Sequence, residues 1–316
     1  MENLIYSLNA TIPVFVVILA GWILRQIGML NDNFVSVSNK FNFKVTLPIL
    51  LFCDIKSMNI REVFEWRFFL FCAVVTTVCF FVVWFFAERC MKKCPESIGS
   101  FVQGSFRGSA AVLGVAFMQN IYGNAGLAPL MIIGCVPLYN IFSVIVLTLR
   151  SSDRTGSGKD SIKKACINIC KNPIILAILV GLPFSFFQVE FPEMVDKTLG
   201  QFSAIATPLA LIAIGAAFEG KQALAKIKPT IWGSLIKLVF QPLVFLPLAV
   251  LMGFRGQHLV TLLIMLGAPS TASCYIMAKN MGNDSVLSAS IIVVTTLGAA
   301  VTITAGLYVL KVLALI

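Results

Sequence analysis

Arg107 carries the sharpest chemistry in this chain. It stands in Gly104-Ser105-Phe106-Arg107-Gly108-Ser109, a run of small residues inside a stretch that is otherwise apolar enough to cross a lipid bilayer. A cation at the centre of a membrane costs about 2.5–3.5 kcal/mol on the insertion scale, so it is normally paired or turned toward a cavity. No carboxylate is expected at comparable depth: Asp54 and Glu88 fall at the ends of apolar segments, and the other acids fall in loops. An unpaired buried guanidinium suits an anion. Snorkelling, or an ion pair with an acid at a segment end, is the alternative.

A second segment echoes the first. Gly267-Ala268-Pro269-Ser270-Thr271-Ala272-Ser273 runs on to Met277-x-x-x-x-Gly282-Asn283, and the Arg107 segment runs on to Met118-x-x-x-x-Gly123-Asn124, 159 residues earlier. Gly108, Ser109 and Gly114 in one, and Pro269, Ser270 and Thr271 in the other, are small or helix-breaking. Broken backbone at membrane depth is tolerated only where it lines a cavity or is buried in protein. Two such breaks create half-helix N-termini, whose free N–H groups and positive dipole end suit a carboxylate or phosphate. The plainer reading, that glycine and serine let helices pack closely, is weaker for two segments in corresponding positions.

Other polar residues fall near these segments. Ser109, Asn140, Ser270, Thr271 and Ser273 can hydrogen-bond an anion, or supply neutral oxygens to a sodium ion. Lys40 and Lys44 share a helix face, Lys40 at the interface and Lys44 less easily kept out of a substrate role. Lys237 and Gln241 either line the same cavity or satisfy each other. Without a deep Asp or Glu, sodium–proton exchange has no titrating group. Enzyme motifs are missing too: Gly158-Lys159 lacks the glycine at 153 and the Ser or Thr at 160 of a phosphate-binding loop, and His258 is the sole histidine. No cofactor and no metal site are expected, and the Cys90/Cys94 and Cys166/Cys170 pairs read as reduced thiols.

The elements that must position these residues are membrane helices. The chain is 58% hydrophobic and 12% charged, against about 25% charged in soluble domains. Apolar runs of some 20 residues give ten spans: 5–25, 34–54, 67–88, 98–119, 126–149, 172–189, 198–219, 229–253, 257–279 and 285–310. The first reads as a retained span, since no basic region or cleavage site accompanies it. Fourteen Lys and Arg fall on one side, including Arg25, Arg89, Arg150, Lys163 and Lys226; six fall on the other and four within spans. By the positive-inside rule the richer side is cytoplasmic and both termini are outside. The net charge of +10 is then topological, and no nucleic-acid partner is needed. The expectation is a multi-pass protein of the plasma (inner) membrane, with the bilayer as its surroundings.

The halves repeat. Pro13 and Gly21 correspond to Pro173 and Gly181, and Pro48 to Pro208, each 160 residues apart. The chain divides into a first five-helix repeat at 1–149, a polar basic linker at 150–171, and a second repeat at 172–316. Five spans is an odd number, so the second repeat runs in the opposite sense. The fold class is all-α integral membrane, ten helices in a five-plus-five inverted repeat, the pattern of secondary transporters.

Motifs along nearly the whole chain are similar to those of the auxin efflux carrier family, the bacterial relatives of plant PIN transporters. Asn39-Lys40-Phe41-Asn42-Phe43-Lys44-Val45-Thr46-Leu47-Pro48 resembles its second span, Phe106-Arg107-Gly108 with Gly114 its fourth, and Tyr139-Asn140 its fifth. Lys171-Asn172-Pro173 resembles its sixth, Thr207-Pro208-Leu209-Ala210-Leu211 with Gly215 its seventh, and Ala268-Pro269 with Ala278-Lys279 its ninth. The resemblance implies that spans 4 and 9 cross as broken helices, as in sodium–proton antiporters and bile-acid transporters. It implies a scaffold of spans 1, 2, 6 and 7, a moving core of spans 3, 4, 5, 8, 9 and 10, elevator-type alternating access and a homodimer. It also implies organic-anion substrates, auxin-like monocarboxylates or dicarboxylates such as malate and malonate. The chain departs from the family at Ser109, where Asn is frequent, and near Val115-Ala116, where proline is. Two other functions stay open: sodium-coupled anion symport of the bile-acid type, separated by replacing Na+ with K+, and an anion-binding membrane sensor, separated by binding without flux.

Overall fold

The structure, a computed structural model, describes residues 13, 16–57, 65–92, 94–110, 118, 122, 126–151, 167, 171–218 and 224–316. The N-terminal part of the first expected span, Gly114, Val115-Ala116, Gly123-Asn124 and most of the 150–171 linker lie outside these residues. Among the described residues all regular structure is helical. Among the described residues six helices are long and apolar enough to cross a membrane: Trp66–Cys90, Ala128–Leu149, Glu193–Ala216, Ile227–Leu251, Gln257–Asn280 and Ser285–Val312. The protein is therefore an all-α, multi-pass membrane protein.

In chain order the helices are α1 (Val16–Gln26), α2 (Asp32–Phe41), α3 (Leu47–Lys56), α4 (Trp66–Cys90), α5 (Ile98–Phe106), α6 (Ala128–Leu149), α7 (Pro173–Phe187) and α8 (Glu193–Ala216). They continue as α9 (Ile227–Leu235), α10 (Gln241–Leu251), α11 (Gln257–Gly267), α12 (Ala272–Asn280) and α13 (Ser285–Val312). Two joins are π turns: Asn42–Thr46 links α2 to α3, and Ile236–Phe240 links α9 to α10. Both have the same sequence cause. Pro48 and Pro242 bring no N–H to the ladder, and the residue before each prolongs the turn: Leu47 N–H donates to the Asn42 carbonyl and Gln241 N–H to that of Ile236. π turns recur at functional sites, and these two carry Asn42, Lys44 and Lys237.

Packing is tightest where glycine lets backbones meet. A Cβ on Gly215 of α8 would overlap the Ile18 carbonyl of α1, and one on Gly21 of α1 would overlap the Ile212 carbonyl of α8. Large apolar side chains such as Val82, Phe85, Phe86, Leu243 and Val301 face outward, as a lipid environment requires.

Ionic contacts sit at helix ends. Lys56 of α3 meets Asp196 of α8 at 2.5 Å, Glu65 meets His258 at 2.7 Å, and Arg150 pairs with Glu88. Asp284, which caps α13 by accepting from Leu287 N–H at 2.9 Å, also receives Ser97 Oγ at 2.6 Å and Lys226 Nζ at 2.9 Å. Burial alone would raise the Asp284 carboxyl, but Ser97, the Leu287 amide and Lys226 together hold it below its ordinary value. Lys226 is drawn down by burial and carried above its ordinary value by Asp284. This cluster ties together the starts of α5, α9 and α13.

Candidate functional site

Two helices break where the sequence places its paired segments. α5 ends at Phe106, and Arg107 follows with extended backbone at φ −88°, ψ 135°. α11 ends at Gly267, and Ala268 follows at φ −62°, ψ 144°. The second break has a direct local cause: the residue before proline is pushed out of the helical region, and Pro269 takes that role here. The breaks touch, since Ser109 N–H donates to the Pro269 carbonyl at 2.8 Å.

A broken helix leaves backbone groups that need partners, and several of them can be followed. In an unbroken α11 the Met265 carbonyl would receive the N–H of residue 269, which is proline, and the Leu266 carbonyl that of Ser270. Ser270 N–H instead donates to Thr295 Oγ1 at 3.0 Å. Lys237 Nζ serves both carbonyls, at 3.2 Å to Met265 and 2.8 Å to Leu266, and Tyr139 OH also donates to the Met265 carbonyl at 3.5 Å. At the other break the Ser105 carbonyl loses Ser109 N–H to Pro269, and Gln241 Nε2 replaces it at 2.7 Å. Beyond the second break, Thr271 caps α12, accepting from Ser273 N–H at 3.1 Å.

Arg107 is treated differently. It is 4% exposed, and among the described residues its only hydrogen-bond acceptor is Met277 Sδ, 3.1 Å from Nη1. Gln103 Nε2 donates to the same sulfur at 3.3 Å. A thioether is a weak acceptor and a guanidinium has five N–H donors. No carboxylate pairs with Arg107 among the described residues.

A cavity of about 170 Å³ opens beside the breaks. Arg107, Gly108, Ser109, Pro269, Ser270, Thr271 and Ser273 all line it. Its opposite walls come from α3, with Leu47, Leu51 and Asp54, and from α8, with Ala206, Thr207 and Ala210. The volume lies below the roughly 300–1,000 Å³ of drug-sized pockets, so it fits a small molecule. One guanidinium, several hydroxyls and apolar walls can hold a compact anion with an apolar side.

Not every expected residue reaches this cavity. Asn140 is fully buried on α6, where its Nδ2 donates to the Val136 carbonyl at 2.9 Å. Lys44 is exposed on the first π turn, as Lys40 is at the end of α2. Gly114 lies outside the described residues. Lys237 and Gln241 stay behind the breaks, and although they contact each other at 3.4 Å, their shorter bonds go to the broken helices. Asp54 is what residue-by-residue reading missed. It looks like a span-end acid, yet α3 aims it into the cavity that Arg107 lines; its place three residues beyond Leu51, on the face of Leu47 and Leu51, was the available signal.

Comparison with known proteins bears on what such a cavity does. Residues 6–306 match the family described as "Membrane transport protein". The chain is 22% identical to the "Uncharacterized transporter YfdV" of Escherichia coli K12, over 97% of this chain and 98% of that one. It is 22% identical to an "Uncharacterized transporter" of Methanothermobacter thermautotrophicus, covering 92% of this chain and 94% of the other. It is 23% identical to a protein of Rhizobium meliloti named "Putative malonate transporter", covering 95% and 94%.

Proposed function

From the premise that this chain belongs to the membrane transport protein family, that of the auxin efflux carriers, we propose that it is a secondary transporter of a small organic anion. Its membrane transport role follows from the family; the substrate class rests on one observation. Arg107 lines a small cavity between two helix breaks with, among the described residues, only a thioether to accept from it, and a carboxylate supplies what it lacks. Ser109, Ser270, Thr271 and Ser273 add hydroxyls. The name given to the Rhizobium relative makes malonate a reasonable first probe.

The five-plus-five inverted repeat is the architecture we assign. It is supported by contacts that recur at the repeat interval. Gly21 packs on the Ile212 carbonyl of α8, while Gly181, 160 residues later, packs on the Phe52 carbonyl and Ile55 of α3; Phe52 and Ile212 are themselves 160 apart. Met277 Sδ accepts from Gln103 of α5, and Met118 Sδ, 159 residues earlier, accepts from Thr261 of α11 at 3.4 Å. Each ion pair between helices also joins ends that alternate crossing assigns to one side.

In this reading α3 and α8 belong to the scaffold and the two breaks to a core that moves past them, so that the anion crosses by an elevator step. Both termini lie outside the cytoplasm, and the carrier assembles as a homodimer in the plasma (inner) membrane. Currents from reconstituted protein on a solid-supported membrane, with mono- and dicarboxylates added by concentration jump and no ion gradient, test the substrate class. A saturable current with one or more of them supports it. Binding of the same compounds without flux would instead favour a sensor, and neither binding nor flux across the panel would remove the organic-anion assignment.

A further inference from the structure

We propose that Lys237 is the resident cation of the crossing: its ammonium occupies the place that a dissociable coupling cation would take against the carbonyl end of the broken helix, so the carrier works without sodium. The inference rests on the transporter reading above.

A helix C-terminus gathers partial negative charge from carbonyls without donors. In a membrane interior such an end needs a cation or a set of donors. At the end of α11 the need is specific, because Pro269 has no N–H for the Met265 carbonyl and Ser270 N–H is engaged by Thr295. Two carbonyl oxygens thus converge with the Gln241 Oε1 on one point, at 3.2, 2.8 and 3.4 Å from Lys237 Nζ. Three neutral oxygens around a point of negative potential are the beginning of an alkali-cation site. Here an ammonium fills that point covalently, and its three N–H donors match the three oxygens.

Lys237 is also locked in place. It is completely buried, and a Cβ built on Gly108 would come within 2.9 Å of both its Cε and its Nζ. The space between the two breaks therefore holds the lysine end and nothing larger. Of the hydroxyls at the second break, Thr271 Oγ1 accepts from Ser273 N–H and Thr295 Oγ1 from Ser270 N–H. Asn140 donates its Nδ2 to the Val136 carbonyl and lies outside the cavity lining, its buried Oδ1 having no partner among the described residues. Gln241 repeats the arrangement at the end of α5, with a neutral amide donating to the Ser105 carbonyl.

A fixed ammonium travels with the core in both directions. The charge moved per cycle is then that of the substrate alone, and a sodium gradient does no work on it.

The test needs no knowledge of the substrate. The thermal midpoint of the purified protein is measured in sodium, potassium and choline chloride at equal ionic strength. Wild type gives the same midpoint in all three; a saturable rise specific to sodium would overturn the proposal. Lys237→Ser vacates the site, and its midpoint falls in choline and recovers by about 2–5 °C in sodium at roughly ten times the dissociation constant. An equal fall in all three salts would reduce Lys237 to a structural brace and overturn the substitution of lysine for a mobile cation. Should the serine variant fail to fold, Lys237→Gln keeps a donor and is read in the same way. Wild-type malonate uptake into proteoliposomes that is lost when choline replaces sodium would also contradict it. Failure of every carboxylate to bind would sink the organic-anion reading while leaving these midpoints unaffected.

Discussion

Two buried cations flank the crossing, and their surroundings differ. Lys237 has three oxygen acceptors, two of them carbonyls of a broken helix, and fills its space completely. Arg107, on the cavity side, has a methionine sulfur. Both look alike in the sequence, as single basic residues inside apolar spans. The difference shows how a membrane protein can spend one cation on holding its backbone broken and keep another free for a ligand. On the proposed function, the saturated cation contributes to the fold and the under-satisfied one to affinity.

Breaking the comparison at the free cation has the largest expected effect on function. Arg107→Gln should weaken carboxylate affinity about 10- to 100-fold, since a hydrogen bond to a charged group contributes about 1.5–3 kcal/mol. The thermal midpoint should move little, because among the described residues only a thioether hydrogen bond is lost. Disturbing the saturated cation reverses the pattern. Gly108→Ala places a methyl against the immobilised Lys237 end and 3.2 Å from the Ala268 carbonyl, and should destabilise by about 1–3 kcal/mol, read as a lower midpoint in a thermal scan.

A smaller effect sharpens what the free cation prefers. Asp54 places a negative charge in the same cavity, so Asp54→Asn should tighten binding of dicarboxylates several-fold and of monocarboxylates less, as titration calorimetry of the two classes would reveal. The smallest effect lies far from both cations. The Asp284 carboxyl is held low in the folded protein, so its contribution is present above the ordinary carboxylate range, near pH 4, and is lost as pH falls through its depressed value. Lys226 is raised, so its contribution is complete below about pH 10 and lost as pH rises further. Stability should be flat through the neutral range. Asp284→Asn should remove the acid-side decline at a cost of up to about 1 kcal/mol, measured as midpoint against pH.

The sequence made much of this site legible because its signals were local. Small residues and Pro269 mark the breaks, and Arg107 stands out by charge alone; with Ser109, Ser270, Thr271 and Ser273 it reaches one cavity. What stayed hidden depends on contacts between distant elements. Lys237 and Gln241 read as cavity residues or a mutual pair, since nothing local says which helix ends lie opposite them. Asp54 reads as a span-end acid until α3 is seen as a cavity wall. Asn140 reads as a ligand, and only the structure shows its amide nitrogen turned to Val136 on its own helix and its buried Oδ1 without a partner among the described residues. The span limits near residues 34 and 229 are close to observed helix starts, but the π turns at Asn42–Thr46 and Ile236–Phe240 follow from the placing of a proline in a long helix, which hydropathy does not register.

The central claim is that Arg107 is held under-satisfied so that a carboxylate can complete it. Its most direct test is titration calorimetry of malonate into the purified protein, comparing wild type with Arg107→Gln and Arg107→Lys at matched fold stability. Saturable binding that is lost or weakened at least tenfold in the glutamine variant, and partly kept in the lysine variant, is the expected result. Equal affinity in wild type and Arg107→Gln would contradict it.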